Sequence, residues 1–412
     1  MMATQIIDAD SHIMEPSDLW LKYSSIKEKS NALRIVESKI DKDGMGSRKW
    51  FLQFQDRPLF EVCGSTPVGL NCLKSAAGDV AKDERARVRR GQFQNLREHL
   101  LSYQEQSPKA AWDPHERIQW MDKSGISACL ITPTWGSMWE RYLHDNPNAI
   151  CSNMEAYNRW VLDFCSVDRK RLIPIVQLSP CDIQWAERSA EQLANAGATV
   201  CALRPVLTDG KPLGHPDFRR LWAALERVGM AAYFHVSGTG RGDRDFFESG
   251  WYHDELKGQH NGVTWSIAGH VPMMLTLTDL IRNGILEAHP DLRIAVVEHG
   301  CTWIKPWIEQ FDATIPLSRL RDARLQELCP KQPSEYFAKS VWVTPLESED
   351  ITRLVGQLGP ERIMFSTDYP HPECSEHPVD SFLEATMSLD GCVRERVLSR
   401  NASEFITGPS AA

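Results

Sequence analysis

Short apolar, β-branched runs recur along the chain, and stretches of helical periodicity lie between them. The first run, Ile6–Ile7, leads straight into D-A-D-S-H. It is followed by I-S-A-C-L-I-T-P-T (126–134), R-L-I-P-I-V-Q-L-S-P (171–180), T-V-C-A-L-R-P-V (199–206) and M-A-A-Y-F-H-V-S-G (230–238). R-I-A-V-V-E-H-G (293–300), S-V-W-V-T-P-L (340–346) and R-I-M-F-S-T-D-Y-P (362–370) complete the set. Continuous apolar runs, rather than alternation, are what strands covered on both faces require. Amphipathic stretches such as F-R-R-L-W-A-A-L-E-R-V-G (218–229) separate them, this one closed by a glycine suited to a helix C-terminus. Strands alternating with helices predict an α/β fold, a (β/α)8 TIM barrel, as a single domain over 1–412.

The spacing is uneven. Residues 14–112 separate the first strand from the second and predict a long insertion. Within it, R-K-W-F-L-Q-F-Q-D-R-P-L-F-E-V (48–62) predicts a hairpin turning at Q-D-R-P, and 82–100 predicts a basic helix with a solvated face. A second long loop, 237–270, is rich in glycine, histidine and aromatic residues. Both segments follow strand ends, which places them over the catalytic face of such a barrel.

Composition narrows the class. The chain is 42% hydrophobic and 25% charged, as in an ordinary globular protein, and its net charge of −9 argues against a nucleic-acid partner. No apolar run is long enough for a membrane span, and the first residues lack the basic-then-apolar order of a signal peptide. Eleven cysteines without a C-x-x-C pair read as reduced thiols, so a cytoplasmic location is expected.

Polar residues cluster where the strands end. Asp8, Asp10 and His12 alternate along the first, and alternate residues of a strand share a face. Arg204 ends the fourth, His235 the fifth, Glu298 and His299 the sixth, and Asp368 the eighth. Imidazoles and carboxylates converging from separate strands are the donors a divalent ion takes. Each residue also has an ordinary reading: His235 as a core histidine, Asp8 as a structural carboxylate, Asp368 as a turn cap, Arg204 as an ion-paired arginine. His371 and Glu373 read as rim or loop-fixing residues, and strand alternation turns Glu298 away from the pocket.

The arrangement resembles the amidohydrolase superfamily, in the branch that contains aminocarboxymuconate semialdehyde decarboxylase and the dihydroxybenzoate decarboxylases. The likeness rests on D-A-D-S-H-x-x-E-P, A-V-V-E-H-G-C-T-W-I (295–304), P-S-E-Y-F (333–337) and F-S-T-D-Y-P-H-P-E (365–373). It implies a mononuclear centre of Asp10, His12, His235 and Asp368, with His299 off the metal and transferring protons. Asp10 stands where the family often has histidine, and the fourth strand offers Arg204 and no bridging lysine. One divalent ion is therefore expected, zinc first, with manganese or iron also accommodated.

The expected function is decarboxylation or hydrolysis of a small carboxylated or aromatic compound by a homo-oligomer. Asp368 and His299 would be catalytic. Arg204 would grip a substrate carboxylate, and Trp135 and Tyr369, with Trp139, Trp251 and Trp303 nearby, would offer flat faces. The alternatives are an iron-dependent oxygenase, supported by the extra His253, His260 and His270, and a C–C bond hydrolase of a ring-cleavage product.

Overall fold

The computed structural model describes residues 5–38, 49–65, 103–136, 138–236 and 267–408. The basic stretch 82–100 and the loop residues His253, His260 and Trp251 lie outside them. The chain divides into two compact units. The first comprises Met1–Tyr142, Asn148–Ile175 and Phe365–Ser399; the second comprises Leu143–Pro147, Val176–Met364 and Arg400–Ala412.

In the first unit, β1 (Ile7–Ile13) pairs in parallel with β5 (Ala128–Pro133), and β5 with the start of β6 (Leu172–Gln177). All of β1 and β5 is buried; β5 is apolar as this requires, whereas β1 carries Asp8, Asp10 and His12 into the interior. The register of β1 shifts between Asp8 and Ser11, a bulge inside the motif that opens the chain. Three further strands, β2 (Leu33–Ser38), β3 (Lys49–Phe54) and β4 (Arg57–Val62), form a separate antiparallel sheet in the order β2-β3-β4. Here alternate residues are buried (Leu33, Ile35, Leu52, Phe54), so one face packs inward. The expected hairpin is β3–β4, turning at Gln55–Asp56; β2, which the apolar-run pattern missed, adds a third strand. Pro58 lies on the edge strand β4, where no ladder donor is lost.

In the second unit, β7 (Val200–Ala202), β8 (Ala231–His235), β9 (Ile294–Val297) and β10 (Val341–Val343) pair in parallel. Their order within the unit is β7-β8-β9-β10. Helices separate the strands, as in Arg219–Arg227, which buries Leu221, Trp222, Ala224 and Leu225 on one face. Burying side chains such as Leu221 or Phe234 completely stabilises by about 1.5–3 kcal/mol each.

The eighth predicted strand is not regular. Its start bonds to β10 in the second unit, Met364 N donating to Val343 O at 2.8 Å. Its end bonds to β1 in the first, with Ala9 N to Phe365 O and Asp368 N to Asp10 O, both 2.9 Å. The ladder breaks because Thr367 N donates to the Asp8 side chain and Asp368 adopts a left-handed backbone (φ 55°). Among the described residues no helix is long and apolar enough to cross a membrane.

Candidate active site

At the end of β1 the first unit gathers a buried polar cluster. His12 Nε2 lies 3.4 Å from Asp10 Oδ1 and 3.4 Å from Asp368 Oδ1. On the other side of its ring, Nδ1 meets Thr134 Oγ1 at 3.3 Å, and Thr132 Oγ1 donates to Asp10 Oδ1 at 2.9 Å. Both threonines follow from β5, whose end lies beside that of β1. His371 Nδ1 sits 2.6 Å from Asp368 Oδ1, and its ring is 4.1 Å from that of His12. The ligand atoms of His12, Asp368 and His371 all lie within 4.8 Å of one another.

Asp8 turns to another task. Its carboxyl accepts Thr367 N (2.9 Å), Thr367 Oγ1 (2.6 Å) and Asp10 N (3.2 Å), tying β1 to the segment after residue 364. Burial is the main reason its pKa rises to about 7, against the opposing pull of those hydrogen bonds. Glu15, also fully buried, accepts Trp135 N at 3.1 Å and Gly136 N at 2.7 Å, so it fixes the loop after β5. Burial likewise lifts its pKa to about 7.

Arg117 is the residue that sequence reasoning missed. It belongs to the helix Pro114–Ser124, which starts cleanly because Asp113 accepts His115 N and Glu116 N and Pro114 opens the first turn. Its guanidinium is completely buried and is spread over oxygens: Nη1 donates to Ser11 Oγ (2.9 Å), Nε to Ala110 O (2.7 Å), and Nη2 to His12 O. It also lies 4.8 Å from the Tyr369 ring, which stacks on Trp120 at 3.9 Å. Tyr369 is thereby packed into the core at 2% exposure, its ring engaged by Trp120 and Arg117 instead of opening to a substrate. Trp135 is half-buried against Phe60.

The second unit carries its own polar strand ends. His235 closes β8, and its Nε2 lies 2.9 Å from Glu298 Oε2. Alternation had turned Glu298 away; the left-handed backbone at Glu298 (φ 59°) breaks the alternation and swings the carboxylate back onto His235. His299 is buried. Desolvation first, then the charges of His235 and His270, lower its pKa to about 3, leaving a neutral imidazole at neutral pH. Trp303 is buried too, its Nε1 donating to Gly300 O at 2.9 Å beneath this turn, and His270 stacks on it at 5.2 Å. Arg204, just past β7, is half-buried. Trp139 is fully buried.

The donor chemistry fits a divalent ion. Two carboxylates and an imidazole are packed together, Asp10 and His12 fully buried and Asp368 partly so, and Arg117, the buried cation beside them, gives its donors to neutral oxygens. Carboxylate and imidazole donors suit zinc, manganese and iron alike. His371 could have been suspected from D-Y-P-H, which puts it three residues after Asp368; Glu298 could have been suspected from the glycine two residues on, which permits a turn.

The chain has relatives among known proteins. A γ-resorcylate decarboxylase of Rhodococcus jostii is 28% identical over 181 residues, 42% of this chain; the match spans about half of that enzyme's length, 49%. An amidohydrolase from Mycobacterium avium subsp. paratuberculosis shares the fold with a TM-score of 0.77 at 19% identity, covering 98% of this chain and 100% of that one. The 5-carboxyvanillate decarboxylase of Novosphingobium aromaticivorans, solved with manganese and 4-hydroxy-3-methoxy-5-nitrobenzoic acid, gives a TM-score of 0.61 at 18% identity, covering 98% and 96%. The family model described as amidohydrolase matches residues 98–406, three quarters of the chain, and by that match the chain belongs to the amidohydrolase family.

Proposed function

We propose that this protein is a metal-dependent decarboxylase of a small hydroxylated aromatic carboxylate, built on a closed (β/α)8 barrel, with Asp10, His12, His235 and Asp368 holding one divalent ion. The observation that carries the reading is the cluster at the end of β1, where carboxylate oxygens of Asp10 and Asp368 both lie 3.4 Å from His12 Nε2. The names of the relatives support the choice of decarboxylation over hydrolysis and over the oxygenase alternative.

The bound ion would act as a Lewis acid on an oxygen of the substrate. The chain's own groups do the rest. Arg204 can grip a carboxylate through two parallel N–H donors. Trp135, on the loop pinned by Glu15, offers a ring edge to a planar substrate. Loss of CO2 breaks a C–C bond and leaves its electron pair on the ring carbon, which must take up a proton. Asp368 supplies that proton, and His371, 2.6 Å away, is placed to replace it. His299, held neutral by burial, can take a phenolic proton as the ring carbon is protonated and return it as CO2 leaves, so that the phenol is restored.

The test is the product. Metal-stripped protein is reloaded with Mn²⁺, Zn²⁺ or Fe²⁺ and incubated with a panel of ortho-hydroxylated benzoates. Metal-dependent release of CO2 and one equivalent of the phenol is expected. Hydrolysis of an ester, amide or lactone panel with no CO2 from any benzoate overturns the reading.

A further inference from the structure

Among the described residues, four that are not glycine have a left-handed backbone: Gln55, Asp209, Glu298 and Asp368. Gln55 and Asp209 sit where the chain reverses, between β3 and β4 and within the turn joining Thr208 to Lys211. Glu298 and Asp368 are different, since each follows a parallel strand or strand-like segment and places a carboxylate against a histidine. Asp368 does this at His12, and Glu298 at His235, in each case at Nε2. Such a backbone is strained for a residue like glutamate and persists only where its surroundings enforce it.

The surroundings of Glu298 do so. Its N–H donates to Thr344 Oγ1 at 3.1 Å, Gly300 is left-handed in turn (φ 68°), and the Glu349 carboxylate holds the N–H groups of Cys301 and Thr302. Trp303 holds the carbonyl of Gly300. An ordinary partner of a metal-bound histidine accepts from the ring nitrogen that does not bind metal. At His12, Thr134 meets Nδ1 while Nε2 faces carboxylates. Glu298 takes the Nε2 side of His235, the side corresponding to the ligand carboxylates of His12.

We propose that Glu298 is a further ligand of the divalent ion that His235 binds. The proposal rests on the metal-dependent reading above, and it makes the centre richer in oxygen donors, which favours Mn²⁺ or Fe²⁺ over Zn²⁺.

The experiment titrates metal-free full-length protein with Mn²⁺, following loss of the free-ion EPR signal, and needs no turnover. Glu298→Gln removes the anion at nearly constant shape. Glu298→Asn, a residue that tolerates left-handed backbone, stands in should the first variant not fold. His235→Ala serves as the reference. Weakening of Mn²⁺ binding by at least about tenfold in the Glu298 variants, with metal-free melting temperatures unchanged, is the result expected for a lost ligand. Mn²⁺ affinity within twofold of wild type in the Glu298 variants, with binding lost in His235→Ala, overturns the role of Glu298 and leaves the metal centre standing. Unchanged affinity in all three variants overturns both. A lower metal-free melting temperature at unchanged Mn²⁺ affinity marks a structural ion pair and overturns the proposal as well.

Discussion

The two units present a histidine and a carboxylate by the same backbone device but hold them differently. In the first, His12 and Asp368 are fixed by side chains: Arg117 grips the His12 carbonyl and Ser11, Thr132 and Thr134 engage Asp10 and His12, and Asp8 ties down Thr367. In the second, His235 and Glu298 are set by a backbone turn whose N–H groups end on Thr344 and Glu349. The first arrangement surrounds carboxylates with donors and a buried cation. The second places a neutral imidazole, His299, in a dry setting.

The largest effect expected is loss of the ion itself. Elemental analysis should find about one metal per chain in the wild type and almost none in His12→Ala or His235→Ala. Retention of metal in one variant alone would break the comparison, assigning the ion to the other unit. Next comes His299→Ala, which should keep its metal yet lose about 10²–10⁴ in kcat. Loss of metal with activity would make it a ligand and erase the contrast between the two settings.

Arg117→Met sharpens the first half of the comparison. It strips the donor from Ser11 Oγ and from the carbonyls of Ala110 and His12. Leaving buried acceptors unsatisfied costs about 1–3 kcal/mol each, so with three of them denaturant unfolding should show a loss of at least about 3 kcal/mol. Metal affinity should fall by about tenfold through the misplaced His12. An unchanged unfolding midpoint would show that the guanidinium contributes nothing there.

The smallest effect is read from pH. The Glu15 carboxyl moves from an ordinary 4.5 to about 7 on folding because burial disfavours its charged form. Its contribution to stability is fully present below pH 4.5 and is lost as pH rises through about 7. The wild type should thus lose up to about 3 kcal/mol across that window from this group. Glu15→Gln should flatten the fall in the unfolding free energy between pH 4.5 and 8, and an unaltered profile would count against the shift.

Much of the sheet was legible because strands covered on both faces leave long apolar runs; β5 to β10 all lie inside such runs, and β1 was marked by the polar residues that alternate after Ile6–Ile7. β2 escaped because it packs on one face and alternates instead. The eighth segment was recognisable in composition but not in geometry, since Thr367 and Asp368 spend their backbone on the site. His12, Asp10 and Asp368 were readable as chemistry at strand ends. Glu298 was misjudged because a period of two holds only while φ stays extended. Arg117 was invisible because an arginine on a helix ordinarily reaches solvent, and nothing local in H-E-R-I-Q-W marks this one as buried.

The bond between Asp8 and Thr367 has a consequence for the order of synthesis. It joins positions 359 residues apart, and the whole of 176–364 is translated between them. On the ribosome β1 must wait for Thr367 while most of a second compact unit emerges. Closing so long a loop is entropically costly and slow, so the cluster around His12 is among the last parts to form. Asp10 and His12 are made long before Asp368, so a centre that needs all three would be incomplete until Asp368 has been added.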